Sequence, residues 1–346
     1  MGGALIEKRR LGRSGLELSR IGFGSAPMGD INRLPDEAGA HALLQAAWDG
    51  GIRYFDTAPM YGNGLAERRV GDFLRDKPRD DYVLSTKVGR LLVPDRASAM
   101  ARYGNPRAMP FRVAFDYTYD AIMKSYEMSL QRLGLERIDI LFLHDLGRFS
   151  QRERYEETLR QALDGGGVRA LTTLREEGAV RAIGVGVNEW EILDLLMDHA
   201  PWDVFLLANR YTLLDQRVVD HFLPRCVREG VAIVDGAPLH SGLLVTGAVP
   251  GARYDYAPAS EEILDKVRRI EAVCRQHGVP LVRAGLNFPL GHEAVASVIP
   301  GPITPAELAD NLAHFRAAIP PGLWDDLKRA GLLHPDAPAP NTPVLA

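Results

Sequence analysis

The chain has 346 residues, of which 46% are hydrophobic and 25% charged, enough apolar material for one large core. Its formal charge of −4 leaves no basic excess for a nucleic-acid backbone or an anionic membrane surface, and no apolar run approaches the roughly 20 residues that span a bilayer. Two cysteines, Cys226 and Cys274, exclude a disulfide framework, and their flanks lack metal-ligand spacing, so no metal is expected.

The start of the chain lacks a long apolar core followed by a cleavage site, and Ile6 stands where a myristoylation signal requires Ser or Thr. A cytoplasmic protein is the expectation. From there, short β-rich apolar runs alternate with segments of helical period. Strand 21–23 precedes helix 36–49, strand 52–55 helix 65–75, and strand 82–86 helix 120–133. Strand 138–143 precedes helix 168–177, and strand 182–186 helix 189–199. Strand 204–207, helix 217–228, strand 231–234, helix 261–277, strand 296–299 and helix 305–316 complete the series. The strands are continuously apolar rather than alternating, as expected when helices cover one face and a filled interior the other. This pattern predicts an α/β fold, a (β/α)₈ TIM barrel over 1–334, as a single domain. Long connections, 90–115 and 146–167, follow the third and fourth strands; there they would shape a substrate pocket. The tail, 335–346, is too proline-rich for a helix and is expected to run extended.

The competing doubly wound sheet requires a glycine fingerprint. Gly22-Phe23-Gly24 has the wrong third spacing and a proline where a helix would begin, and there is no Tyr-x-x-x-Lys pair. The barrel is therefore preferred, and its chemistry should lie where strands end. Asp56 and Tyr61 follow the second strand, Lys87 ends the third and His144 the fourth. Adjacent strands lie about 4.8 Å apart, so these groups can converge on one rim. A tyrosine, with an ordinary pKa of about 10, becomes a usable proton-transfer group when a nearby lysine, held by a carboxylate, favours its phenolate.

The blocks Phe-Asp-Thr-Ala-Pro-Met-Tyr-Gly (55–62), Ser-Thr-Lys-Val (85–88), Ser-Leu-Gln-Arg-Leu-Gly-Leu-Glu-Arg-Ile-Asp-Ile-Leu-Phe-Leu-His (129–144), Ile-Gly-Val-Gly-Val-Asn (183–188) and Val-Ile-Pro-Gly (298–301) resemble the aldo-keto reductase family, in family order, over roughly residues 8–317. The resemblance implies that Tyr61 is the general acid/base, that Lys87 paired with Asp56 lowers its pKa, and that His144 orients the substrate oxygen. It also implies a nicotinamide dinucleotide lying across the barrel mouth without a glycine-rich phosphate loop. By the same resemblance Gly24 and Ser25 flank this cofactor, and Asn188 holds its carboxamide. Pro238, Leu239, Ser241, Gly242 and Leu243 belong to a loop closing over the pyrophosphate. Ile299, Gly301, Glu307, Asp310 and Asn311 form the adenosine block.

The chain departs from the NADPH-using pattern where Gly301 replaces a lysine and Glu307 an arginine. A ribose 2′-phosphate would lose its cations and face a carboxylate, at a cost of about 1–3 kcal/mol. NAD is thus expected over NADP. The family's carboxamide-binding glutamine corresponds to Ala208 and its nicotinamide-stacking aromatic to Gly236, leaving the ring less clamped unless Trp190 or Asn209 substitutes. The segments 115–120 and 210–215, with His144-Asp145, resemble the aldose dehydrogenase branch, which oxidises the anomeric carbon of sugars such as L-fucose, L-galactose or D-arabinose to a lactone. A small-molecule sugar is therefore the expected partner, with Arg90, Asp145, Arg148 and Trp190 as candidate substrate contacts. Oxidation of a pyridoxal hemiacetal, an NADPH-dependent aldehyde reductase, and a dinucleotide-binding subunit like the potassium-channel β subunits are the alternatives.

Overall fold

The computed structural model describes residues 6–340 apart from 35 and 256; part of the expected tail, 341–346, lies outside the described residues. A two-stranded antiparallel hairpin opens the chain, β1 (Lys8–Arg10) with β2 (Glu17–Ser19). Then come β3 (Phe23–Gly24), α1 (Glu37–Asp49), β4 (Tyr54–Asp56), α2 (Leu65–Leu74) and β5 (Val83–Val88). An arm follows: β6 (Arg90–Pro94), α3 (Arg96–Tyr103) and β7 (Phe111–Phe115), whose strands pair antiparallel. After α4 (Tyr119–Leu133) and β8 (Ile140–His144), a second excursion holds α5 (Arg148–Gln151) and α6 (Tyr155–Leu163) before α7 (Gly167–Glu176). The chain continues through β9 (Ala182–Val187), α8 (Trp190–Leu196), β10 (Val204–Ala208), α9 (Phe222–Glu229), β11 (Ala232–Gly236) and α10 (Leu243–Thr246). A small hairpin of β12 (Arg253–Tyr254) and β13 (Ala257–Pro258), then α11 (Glu261–Gln276) and α12 (Leu281–Asn287), leads to β14 (Val295–Ile299), α13 (Pro305–Arg316) and α14 (Gly322–Arg329).

Eight strands form one parallel sheet in the order β3-β4-β5-β8-β9-β10-β11-β14. The ring closes where Ile21 bridges Val298, with Gly22 N–H donating to Val298 O at 2.9 Å and Gly24 N–H to Pro300 O at 3.0 Å. All eight expected strands occur in the expected order, as a (β/α)₈ barrel. Two cores fill it. Tyr54, Val83, Ile140, Phe142, Val204, Leu206, Val234 and Ile299 pack inside the ring, and Leu11, Leu16 and Leu18 of the first hairpin plug its N-terminal end. A larger cluster, including Phe55, Leu84, Leu141, Leu143 and Phe205, packs between strands and helices. Because side chains alternate along a strand, this partition fixes which residues face inward.

Three expectations need correction. The connection 90–115, expected only as a long loop, is a helix-bearing hairpin. Helix 217–228 begins only at Phe222, because the Asp215 carboxylate accepts the Arg217 backbone N–H at 3.2 Å and its Nε at 3.0 Å, holding the chain in a turn. Helix 189–199 is α8 followed by a 3₁₀ turn over Met197–His199. In the tail, Ala337 is fully buried in the outer core.

Candidate active site

Inward alternation along three neighbouring strands builds the site. On β4 Tyr54 lies in the inner core, so Asp56, two residues on, faces inward at the strand's end. On β5 Val83, Ser85 and Lys87 share that face, and on β8 so do Ile140, Phe142 and His144. Register places Asp56 beside Ser85, Lys87 beside Phe142 and His144 beside Gly186, so the last inward residue of each strand reaches the C-terminal mouth. Tyr61 arrives from the turn after β4. Tyr61 N–H donates to Ala58 O at 3.1 Å, and Gly62 rests directly on the 3₁₀ turn Ala26–Gly29. A Cβ on Gly62, whose φ is +64°, would lie 2.4 Å from Gly29 O, so only glycine allows that close approach.

Lys87 is almost completely buried and donates from Nζ to Asp56 Oδ2 at 2.6 Å, Thr57 O at 2.9 Å and Tyr61 OH at 3.1 Å. Ser85 Oγ donates to Asp56 Oδ1 at 2.7 Å and meets Tyr54 OH at 3.0 Å, so both carboxylate oxygens are engaged. Burial pushes the Lys87 ammonium down, but Asp56 and Tyr61 outweigh it and hold its pKa above the usual value. Burial also raises the Asp56 carboxyl, against Lys87.

The Tyr61 hydroxyl behaves differently from the sequence expectation. Burial pushes its pKa up to about 12, and Lys87 offsets only part of that rise. In the protein alone the phenol is therefore protonated, and Lys87 limits the cost of ionising it rather than abolishing that cost. The His144 ring stands edge-on to Tyr61 with centroids 6.0 Å apart. Burial, reinforced by Arg90 and Lys87, drives its pKa well below the ordinary value, so the imidazole is neutral. Tyr117 fixes the strand end by donating its hydroxyl to His144 O at 2.5 Å, and Gln151 Nε2 donates to Tyr117 OH at 2.8 Å.

Tyr61, Lys87 and His144 open on a pocket of about 890 Å³ that is also lined by Arg90, Asp145, Asn188 and Ala208. Arg90 and Asp145, both expected to touch substrate, form an ion pair with each other. Burial raises the Asp145 carboxyl, while Arg90 and Lys87 oppose the rise. Arg148 and Trp190 are not brought to this pocket. Arg148 pairs with Glu156 at 2.7 Å and covers the Tyr155 ring, while Trp190 packs on Phe222 with centroids 6.1 Å apart. Sequence reasoning missed Arg102, Tyr103, Phe115, Phe149, Arg152 and Arg154, which line the pocket from the two excursions. Only the position of those segments after strands pointed to them.

Of the expected cofactor residues, Asn188 alone lines this pocket; the others lie at or after the ends of β3, β11 and β14 or on α13. Gly24 ends β3 and Ser25 follows it; Ser25 N–H donates to Asp56 O at 3.0 Å while its buried Oγ has no partner. Asn188 follows β9, and its Nδ2 lies 3.5 Å from Ala208 O. Ala208 and Gly236 are register neighbours, and a Cβ on Gly236 would meet Leu206 at 3.0 Å and Ala208 at 3.3 Å. Asn209, fully buried, has both amide atoms without a partner. In the loop after β11, Pro238 and Leu243 are buried, Leu239 and Gly242 half-buried, and Ser241 exposed with φ of +53°. His240 anchors that loop by stacking on Tyr254 at 4.8 Å and bonding Thr212 Oγ1 at 2.6 Å. Ile299 ends β14, and a Cβ on Gly301 would press on Pro27 at 2.9 Å. On α13 Glu307 Oε2 accepts the Ile303 N–H at 2.8 Å, with Glu307 and Asp310 exposed and Asn311 half-buried.

A profile of the Aldo/keto reductase family matches residues 20–330. The pyridoxal 4-dehydrogenase of Microbacterium luteolum is 42% identical over 94% of this chain and 98% of its own length. The D-threo-aldose 1-dehydrogenase of a Pseudomonas species is 40% identical over 92% of this chain and 96% of its own. Among solved structures, a holo-form aldo-keto reductase from Bacillus halodurans superposes with a TM-score of 0.72 at 23% identity, covering 98% of this chain and all of its own.

Proposed function

This chain belongs to the Aldo/keto reductase family, and we propose that within it the protein is an NAD-dependent dehydrogenase that oxidises the hemiacetal carbon of a cyclic substrate to a lactone. The observation that carries this reading is the Lys87 ammonium, held by Asp56 at 2.6 Å and touching the Tyr61 hydroxyl at 3.1 Å at the pocket wall. An aldose oxidised at C1, of the L-fucose, L-galactose or D-arabinose type, is the first substrate class, supported by the 40% identical aldose dehydrogenase. Pyridoxal in its hemiacetal form is the second, supported by the 42% identical relative and by the aromatic Phe115 and Phe149 in the pocket lining.

The residues present fit a nicotinamide dinucleotide. Buried polar atoms without partners, Ser25 Oγ and the Asn209 amide, sit at the ends of β3 and β10. Asn188 and Ala208 give the pocket an amide-bearing wall. Asn209 has unused hydrogen-bonding capacity next to Ala208 and can stand in for the missing glutamine; Trp190, packed on Phe222, cannot. Ser25, Asn188 and Asn209 would hold it, and the chemistry it would supply there is acceptance of a hydride. The Tyr61 oxygen takes the proton from the substrate hydroxyl, and Lys87 stabilises the charge that tyrosine must pass through. Neutral His144 orients the reacting oxygen without adding a competing charge.

NAD is preferred because α13 offers a 2′-phosphate a carboxylate, Glu307, and because Pro27 fills the space next to Gly301 where a lysine would start. The test is a panel of L-fucose, L-galactose, D-arabinose and pyridoxal, each with NAD and with NADP, followed by reduced-nicotinamide absorbance. Turnover of at least one hemiacetal with NAD favoured supports the proposal. Reduction of simple aldehydes with NADPH alone, and no hemiacetal oxidation, would overturn it.

A further inference from the structure

The pocket has an electrostatic asymmetry that a neutral sugar does not use. Its carboxylates are already engaged: Asp145 is paired with Arg90, and Asp30 Oδ1 accepts the backbone N–H groups of Asn32 at 3.0 Å and Arg33 at 3.3 Å. Its outer guanidinium groups are not. Arg102 on α3, and Arg152 and Arg154 from the turn after α5, line the pocket, and among the described residues none of the three makes an ion pair. They come from both excursions, which are the parts of the chain that β5 and β8 send over the mouth.

The aromatic neighbours hold two of these cations in place without neutralising them. Arg154 lies over the Phe115 ring at 4.4 Å, with Arg90 also 5.1 Å from that ring, and Arg102 lies 5.3 Å from Tyr103. A ring face attracts a guanidinium yet leaves its N–H donors open to an anion. Arg152 is held in a left-handed conformation, φ +53° and ψ −119°, unfavourable for a residue with a Cβ.

We propose that, among substrates with the same reacting carbon, the pocket favours those that carry an anionic group, a carboxylate or a phosphate ester, at the remote end, and that Arg102, Arg152 and Arg154 select for it. This rests on the hemiacetal-dehydrogenase reading only for the identity of the reacting carbon; the charge preference belongs to the pocket itself. The cofactor elements, β3, β9 to β11, β14 and α13, lie on other segments, so these arginines are assigned to substrate rather than to dinucleotide phosphates.

The experiment uses matched pairs on the intact protein. With NAD, L-galacturonate and L-galactose 6-phosphate are compared with L-galactose, the first two arms distinguishing carboxylate from phosphate. With NADH, 4-carboxybenzaldehyde is compared with benzaldehyde, which requires no hemiacetal. The expected result is a kcat/KM about tenfold higher for the anionic member, the size of one charge-assisted contact at a half-open site. The preference should shrink as salt rises from low to physiological levels. It should fall towards unity in Arg152→Gln/Arg154→Gln, while the KM for NAD stays put. Failure of the sugars with success of the carboxybenzaldehyde pair would remove the aldose class and leave the charge preference standing. Equal rates within the pairs, or a preference that survives the double substitution, would overturn the inference.

Discussion

Lys87 has three oxygen partners and almost no exposed surface, so its charge is committed to Asp56 and to the Tyr61 hydroxyl. With the free phenol held at a pKa of about 12, the proportion able to accept a proton grows throughout the alkaline range. Oxidative kcat/KM should therefore climb continuously from pH 7 to pH 10; a profile that levels off below pH 9 would place the proton acceptor elsewhere. A second titratable group outside the site carries a stability prediction. Asp235 is fully buried, both carboxylate oxygens lack partners, and burial raises its pKa far above the usual range. The native protein thus keeps a proton that the unfolded chain releases above about pH 4, so stability declines as pH rises from there. Asp235→Asn should raise the melting temperature at pH 8, by about 1–3 kcal/mol in stability, and give little gain at pH 4. Equal effects at both pH values would contradict the burial argument. Neither feature was legible beforehand: spacing showed that Tyr61 and Lys87 could meet, but not that desolvation would outweigh the lysine's field.

The strands could be read because each is a short, largely apolar run, and β4 and β8 finish on Asp56 and His144 while β5 carries Lys87 next to its end. The elements that escaped were those whose existence depends on tertiary partners. β6 and β7 carry Arg, Pro and half-buried positions and become strands only by pairing with each other. α12 and α14, seven and eight residues long, were not expected either. At the start of α13 Thr304 Oγ1 accepts the Glu307 N–H at 3.1 Å, and the Glu307 carboxylate reaches back to the Ile303 N–H, a cap that was not read from the sequence. That carboxylate is also the proposed barrier to a 2′-phosphate. Glu307→Gln should keep most of the cap, costing about 0.5–1 kcal/mol of stability, and raise the NADP-to-NAD ratio of kcat/KM about tenfold. An unchanged ratio would assign cofactor choice to other residues.

The ring of eight parallel strands does for this protein what no single segment can: it carries side chains 31 positions apart, Asp56 and Lys87, and then His144 from the next strand, to one rim. The inner core and the Leu11, Leu16 and Leu18 plug make that rim the open end of a filled barrel, so the site is a mouth rather than a channel. No helix among the described residues is long and apolar enough to cross a membrane, in line with the composition. The excursions 90–115 and 146–167 were recognised as pocket-shaping by their place after strands, but which of their side chains face the substrate depends on how α3 and the Arg152–Arg154 turn fold back, and spacing carries no information on that. The central claim is that the Tyr61 oxygen at this mouth moves the proton. Single-turnover oxidation of the best substrate by Tyr61→Phe, with NAD affinity measured alongside, tests it most directly. The account predicts a fall of about 10²- to 10⁴-fold in rate with NAD binding unchanged; turnover at the rate of the native protein would contradict it.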